Sequence, residues 1–119
     1  MTRLVIKLTA GVEALERANQ AWTVGTTALA ADVPVSFWLT GDAVWFATPG
    51  FSETVSLEGA SPFHESVAAM IENGTLSACS QCLNRRKLTA VDLLPGVRIA
   101  GAAGFLEEIL APDIQALVY

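Results

Sequence analysis

The run Leu4-Val-Ile-Lys-Leu8, closed by the turn residues Thr9-Ala-Gly11, begins the pattern that decides the fold. Its β-branched and aliphatic residues predict a short buried strand, and the glycine predicts a turn after it. From Val12 to about Ala31, apolar residues recur every three or four positions, which predicts an amphipathic helix. A buried strand that leads directly into such a helix is typical of α/β proteins.

The alternation of strand and helix continues along the chain. Residues 51–62 lack a clear period, so we expect an irregular loop there, with a short strand at 53–57. The remaining strands are predicted at residues 35–39, 75–79, 97–100 and 115–119. The remaining helical segments are predicted at residues 44–47, 61–73, 80–87, 89–94 and 103–110. This order predicts one domain, residues 1–119, with a three-layer α/β/α fold around a mainly parallel five-stranded sheet.

The composition limits the partners and the location. Charged residues make up 16% of the chain, and the net charge is -5. An acidic domain repels phosphate, so we expect no nucleic-acid partner. No apolar run is long enough to cross a membrane, and the N-terminus lacks the features of a secretion signal, so we expect a cytoplasmic protein. The low charge content predicts strands buried on both faces and a surface covered by another subunit.

The loops that follow the predicted strands contain one group of candidate residues. Parallel α/β sheets carry their functional loops at the carboxyl ends of the strands. The loops that would share this edge are residues 9–11, 40–42, 79–82 and 101–104. We therefore expect Thr9, Gly11 and Gly41 to support a site there. None of these loops completes a nucleotide-binding fingerprint, so no cofactor is predicted.

The segment Cys79-Ser-Gln-Cys82 is the centre of the predicted chemistry. Cys79 ends a predicted strand and precedes a predicted helix, where unpaired N–H groups and the helix dipole favour a thiolate. Arg85 and Arg86 follow one or two turns later and add to that effect. Cys82 lies close enough to resolve a disulfide formed at Cys79. Close cysteines in a reducing cytoplasm are more often reactive than structural, although either could simply pack in the core.

The sequence predicts no metal site within one chain. A structural zinc site needs four ligands, and this chain offers one CxxC pair and one histidine, His64. A site shared across an oligomer interface stays open. We expect His64, near the start of a predicted helix, to be an exposed polar residue.

The motifs, in this order, resemble the DsrE/DsrF-like family over nearly the whole chain. The most specific is Cys79-Ser-Gln-Cys-Leu-Asn-Arg-Arg86, because sulfur-relay members carry their persulfide-forming cysteine at the end of this strand, before one or two arginines. The family usually has glycine after the arginine, where this chain has Lys87. The other matching segments are Leu8–Gly11, Phe37–Val44, Glu72–Cys79 and Asp92–Gly101.

The resemblance implies a flavodoxin-like fold, ring-shaped homo-oligomers such as trimers or hexamers, and sulfur transfer. A desulfurase or rhodanese would donate sulfur to Cys79, which would hold it as a persulfide and pass it to an acceptor protein. Cys82 would discharge or resolve the persulfide, and Arg85 and Arg86 would favour the thiolate.

Two other functions compete with this hypothesis. The CxxC spacing also fits a thiol-disulfide protein that cycles between Cys79 and Cys82. Alternatively, the chain could be a non-catalytic oligomeric module that binds a small ligand, with residues 51–62 lining the pocket. The sequence leaves these alternatives open.

Overall fold

The computed structural model describes residues 2–119, and its five strands form one parallel sheet in the order β4-β3-β2-β1-β5. The strands are β1 (Arg3–Leu8), β2 (Val35–Leu39), β3 (Thr75–Cys79), β4 (Arg98–Ala100) and β5 (Ile114–Val118). Each lies within one residue of its predicted position. The predicted α/β fold is therefore confirmed, and the sheet is parallel throughout.

Helices or helical turns occupy the connections between these strands. The α-helices are α1 (Leu15–Ala30), α2 (Phe51–Thr54), α3 (Phe63–Asn73), α4 (Ser80–Arg85) and α5 (Ala102–Ile109). Short 3-10 turns lie at Val12–Ala14, Gly41–Ala47 and Ala90–Asp92. The last of these begins with the predicted Thr89–Asp92 capping box. Within residues 2–119, no helix combines the length and the apolar character that a membrane span requires.

The strand predicted at residues 53–57 is wrong, because the chain forms the single-turn helix α2 up to Thr54 and no regular element at residues 55–57. Gly50 turns the chain in the left-handed region, at φ +85. Phe51 then packs edge-on against Phe46, with ring centroids 5.2 Å apart. This aromatic contact holds the segment against the core between the sheet and α3. Tertiary packing therefore overrides the local preference for a strand.

The main apolar core lies between the sheet and the helices α1 and α3, which pack side by side. Trp22 of α1 stacks on Phe37 of β2, with ring centroids 4.1 Å apart. Gly25, one turn further along α1, lets the helix approach Phe37 and Met70 of α3. Aromatic pairs of this kind contribute about 0.5–1.5 kcal/mol beyond their burial. This layer supports β3, whose carboxyl end carries Cys79.

The opposite face of the sheet is polar at its centre, and α5 is the helix that covers it. Glu108 of α5 accepts hydrogen bonds from the Ser36 hydroxyl at 2.8 Å and the Trp38 indole N–H at 2.5 Å. It also pairs with Arg3 at 3.1 Å and Arg98 at 3.5 Å. Because α5 has no fully buried residue, this network is what positions the helix over the sheet.

The sequence predicts strands that are buried on both faces. This is true of β2, in which every residue is buried. In contrast, β5 is exposed at four of its five residues. Apolar side chains at this side of the molecule are also exposed, among them Leu106, Leu110, Leu117 and Val118. An exposed apolar surface therefore lies around α5 and β5.

Gly11 is packed against the turn that follows β2. A Cβ atom added to Gly11 would lie 2.5 Å from the carbonyl oxygen of Asp42 and 2.8 Å from its carbonyl carbon. Both atoms are backbone, so they cannot move aside as a flexible side chain could. The close approach holds the loop after β1 against the loop after β2.

We predict that Gly11→Ala lowers the free energy of unfolding by about 1–3 kcal/mol, because the added methyl group overpacks this contact. Urea denaturation measures the change. The control is Gly104→Ala, where the added Cβ would meet its nearest heavy atom at 3.6 Å. That helical substitution should be neutral or stabilising by up to about 1 kcal/mol. Equal stability of Gly11→Ala and wild type would contradict the packing described above.

Candidate functional site

The two cysteines lie at the junction of β3 and α4. Cys79 is the last residue of β3 and is half-buried, while Cys82 lies in the first turns of α4 and is 7% exposed. Both are free thiols. Only Cys79 combines a strand-end position with access to solvent, so it is the thiol that a reaction partner can reach.

The sulfur of Cys82 is held by the loop that follows β2. The N–H of Gly41 donates a hydrogen bond to Cys82 Sγ, with a donor–acceptor distance of 3.1 Å. Gly41 adopts φ +56, a left-handed conformation that favours glycine because it has no Cβ. The predicted supporting residue Gly41 therefore contacts the cysteine pair directly, through its backbone.

Arg86 joins the same two segments from the other end of α4. Its Nη2 and Nε donate hydrogen bonds to Oδ1 of Asp42 at 2.7 and 3.1 Å, and its Nη1 donates to the carbonyl oxygen of Cys82 at 2.9 Å. Arg86 thus ties α4 to the turn after β2. The Asp42 carboxylate, in the turn after β2, is the ion-pair partner of Arg86.

The negative charge of the cysteine pair is biased toward Cys79. Burial alone would raise the pKa of Cys79, but hydrogen bonds from the Cys82 thiol and from the N–H groups of Cys82 and Gln81, with the charge of Arg85, lower it below its usual value. Burial raises the pKa of Cys82, and its hydrogen bond to Cys79 raises it further. The thiolate form is therefore favoured on the more accessible sulfur.

The two predicted arginines, Arg85 and Arg86, act on different cysteines. The charge of Arg85 lowers the pKa of Cys79, whereas that of Arg86 acts to lower the pKa of Cys82. Arg85 is exposed, so salt screens its contribution.

Thr9 and Gly11 support the site from a greater distance. The Thr9 hydroxyl and N–H donate to the carbonyl oxygen of Tyr119 at 2.7 and 2.9 Å, so Thr9 anchors the end of the sheet and does not bond to either cysteine. Gly11 acts through its backbone contact with Asp42. These two predicted residues share the edge of the sheet with the cysteines but belong to its framework.

A cavity of about 240 Å³ opens beside Cys79. Its walls include Lys7 of β1, Trp38 of β2 and Phe105 of α5. Trp38 and Phe105 meet edge to face at 5.4 Å, and the Lys7 ammonium lies 5.1 Å from the centre of the Phe105 ring. The other lining residues are Thr40, Gln81, Cys82, Gly101 and Ala102.

Sequence reasoning missed Lys7, Trp38 and Phe105 as residues of the site. Lys7 and Trp38 are paired in register, and Trp38 is paired with Ser77. Side chains two apart share a face of a strand, so Ser77 and Cys79 face the same way. The isolated lysine in an otherwise apolar strand was the available signal, but its neighbours depend on the strand order.

Lys87, at the position where the resemblance noted above leads us to expect glycine, closes α4 in the conformation that glycine favours. Its φ is +57, in the left-handed region. The N–H groups of Lys87 and Leu88 bond to the carbonyl oxygens of Asn84 and Leu83. The turn after the arginine pair is therefore formed despite the substitution.

The loop at residues 51–62 and His64 lie apart from the cysteines. They contribute to a separate pocket of about 210 Å³, which shares no lining residue with the cavity beside Cys79. His64 is exposed. Across residues 2–119, no three side chains of the metal-ligating kinds cluster.

Comparison with known proteins agrees with the fold and the motif order. The sequence profile of the DsrE/DsrF-like family matches residues 3–114. The structure is similar to the crystal structure of the ychN protein from E. coli, with TM-score 0.74 and 18% identity, and to MTH1491, a protein of unknown function from Methanobacterium thermoautotrophicum, with TM-score 0.72 and 17% identity. Each comparison covers 100% of both chains. No curated protein sequence matches the chain.

We predict that Cys82→Ala raises the pKa of Cys79, because the variant loses the thiol that donates a hydrogen bond to the Cys79 sulfur. The pH midpoint of Cys79 alkylation should move upward, and alkylation at neutral pH should slow several-fold. Iodoacetamide kinetics across a pH series measure both. Cys82→Ser, which keeps a hydroxyl donor, should shift the midpoint less. An unchanged or lower midpoint in a folded Cys82→Ala protein would contradict this account.

Proposed function

The chain belongs to the DsrE/DsrF-like family, a family generally connected with sulfur relay, and from this premise we propose that it is a persulfide carrier in which Cys79 holds the sulfur. The observation that carries the proposal is the asymmetry of the cysteine pair. Cys79 is accessible with a lowered pKa, and Cys82 is buried with a raised pKa. Such a pair offers one thiolate nucleophile and one neutral hydrogen-bond donor.

Loading is a sulfur exchange without net oxidation. The Cys79 thiolate attacks the outer sulfur of a donor persulfide, R–S–SH. A new S–S bond forms at Cys79, the S–S bond of the donor breaks, and the donor leaves as its thiolate, R–S⁻. Delivery reverses these roles: an acceptor thiolate attacks the outer sulfur on Cys79, and Cys79 leaves as a thiolate. A desulfurase or rhodanese is proposed as the protein that supplies the sulfur.

Cys82 has two proposed roles around this cycle. In the dithiol state it donates the hydrogen bond that favours the Cys79 thiolate. In a discharge step it attacks the inner sulfur of the persulfide, which forms a Cys79–Cys82 disulfide and releases HS⁻. A cellular dithiol reductant must then reopen the disulfide.

The spacing of the two thiols also favours a second candidate function, a thiol-disulfide protein. Cys79 ends β3 and Cys82 lies in the first turn of α4, three residues further on, and each side chain affects the pKa of the other. A disulfide would form when an oxidant removes two electrons and both thiols lose their protons. The dithiol–disulfide equilibrium and the sulfur loading are measurable on the same samples.

We further propose that the protein is a cytoplasmic homo-oligomer, a trimer or a hexamer. Both cysteines are free, which suits a reducing compartment. The apolar residues of α5 and β5 are exposed in the single chain, with Leu106 at 53%. A second copy packed against this surface would remove them from water.

Sulfur loading tests the carrier function. After reduction and incubation with a cysteine desulfurase and its substrate, intact mass should show one added sulfur on wild type and on Cys82→Ser, and none on Cys79→Ser. Normal loading of Cys79→Ser would refute the carrier role of Cys79. Loss of two hydrogens on mild oxidation, with no sulfur added, would favour the thiol-disulfide function. If neither sulfur loading nor disulfide formation is observed, the result would favour a non-catalytic binding module.

Sedimentation velocity tests the oligomer. Wild type should sediment as a trimer or hexamer, and Leu106→Glu should raise the dissociation constant by about tenfold or more, since burial of a leucine contributes about 1.5–3 kcal/mol. Val91→Glu is the control, because Val91 is 90% exposed but lies in the turn before β4. Dissociation by both variants alike, or a monomeric wild type, would contradict the proposed interface.

A further inference from the structure

The cavity beside Cys79 is larger than a persulfide requires. One water-sized atom occupies roughly 30 Å³ in the liquid, and a single added sulfur is of similar size. The cavity measures about 240 Å³, which leaves space for a small molecule next to the sulfur. It is smaller than the roughly 300–1,000 Å³ of pockets for drug-sized ligands, so the molecule would have few heavy atoms.

Lys7 gives this cavity a positive charge that the protein does not neutralise. Within residues 2–119, no carboxylate forms an ion pair with Lys7, whose ammonium group lies over the Phe105 ring. The nearby carboxylate of Glu108 is 13% exposed and is already paired with Arg3 and Arg98. The charge of Lys7 is therefore available to a ligand.

The remaining walls set the rest of the ligand's chemistry. Trp38, Phe105 and Ala102 present apolar surface, against which a small inorganic dianion would lose hydration without compensation. α5 begins at Ala102, directly after Gly101, and no side chain caps this end of the helix, so its N–H groups add to the preference for negative charge. A ligand with an anionic group on a short hydrocarbon chain would match both the positively charged part and the apolar part of the cavity.

We infer that the cavity binds a small organic thiol that carries a carboxylate, and that its persulfide is a direct sulfur donor to Cys79. The inference rests on the proposed function of Cys79. The carboxylate lies toward Lys7, the hydrocarbon lies against Trp38 and Phe105, and the sulfur faces Cys79. The Cys79 thiolate attacks the outer sulfur of the persulfide, the S–S bond of the ligand breaks, and the carboxylate-bearing thiolate leaves.

The charge preference of Cys79 toward small disulfides tests this site without any persulfide. Cys79 of the Cys82→Ser protein is treated separately with 3,3′-dithiodipropionate, bis(2-hydroxyethyl) disulfide and cystamine, which are anionic, neutral and cationic. Each forms a mixed disulfide at Cys79 and releases one thiolate, and intact mass gives the rate. Each rate is divided by that of the same chain unfolded in urea, which removes differences in intrinsic reactivity.

After this correction, the anionic disulfide should react about tenfold faster than the cationic one, as one favourable charge contact at low dielectric permits. The net charge of -5 acts against this order, so the preference must arise locally. Lys7→Met, which keeps the hydrocarbon stem, should abolish it. Arg17→Met removes an exposed charge of α1, on the opposite face of the sheet, and should leave it intact.

A cationic preference, no preference, or a preference that survives Lys7→Met would overturn the inference. Propionate should slow the anionic reaction more than sulfate at equal ionic strength, and equal protection by sulfate would overturn the organic ligand class. Enzymatic sulfur loading without a charge preference would refute this cavity ligand but keep the carrier function. A charge preference without any sulfur loading would keep the binding site and refute the carrier function.

Discussion

The hydrogen bond from the Gly41 N–H to the Cys82 sulfur joins the loop after β2 to the first turns of α4. It satisfies the amide of a glycine in the left-handed region and holds the Cys82 side chain, which lowers the pKa of Cys79. The Arg86–Asp42 ion pair ties the same loop to the far end of α4. With both ends of α4 held in this way, the charge of the cysteine pair is directed to Cys79.

The polar network around Glu108 has a comparable effect on the cavity. A carboxylate that is 13% exposed would be costly alone, but two arginines, a serine and the Trp38 indole satisfy it. The network holds α5 over the sheet, and so Phe105 against Trp38. The walls of the cavity beside Cys79 thus depend on Glu108, which lies one turn beyond Phe105 in α5. Apolar burial positions α1 and α3, whereas hydrogen bonds and ion pairs position α5.

The strands could be predicted from the sequence because their apolar runs are short, β-branched and bounded by turn residues, as in Val35–Leu39. The rule that loops gather at the carboxyl ends of parallel strands placed Cys79 and Gly41 at one edge, where the structure brings Gly41 to Cys82. The Asp42–Arg86 pair and the wall formed by Lys7 and Trp38 could not be predicted, because they depend on strand order and register. The prediction of a short strand at residues 53–57 was wrong for a related reason. The conformation of this segment depends on the tertiary contact between Phe46 and Phe51, which local sequence does not reveal.

The geometry around Cys82 bears on the choice between sulfur transfer and disulfide exchange. To form a disulfide, Cys82 must lose the proton that its raised pKa retains, and its sulfur must turn from the Gly41 N–H toward Cys79. A polar group left without a partner costs about 1–3 kcal/mol when buried, and the Gly41 amide is partly buried. The cavity beside Cys79 has space for the added sulfur of the proposed persulfide. The hydrogen bond from Gly41 to Cys82 favours the reduced pair over the disulfide, which agrees with the proposed carrier function.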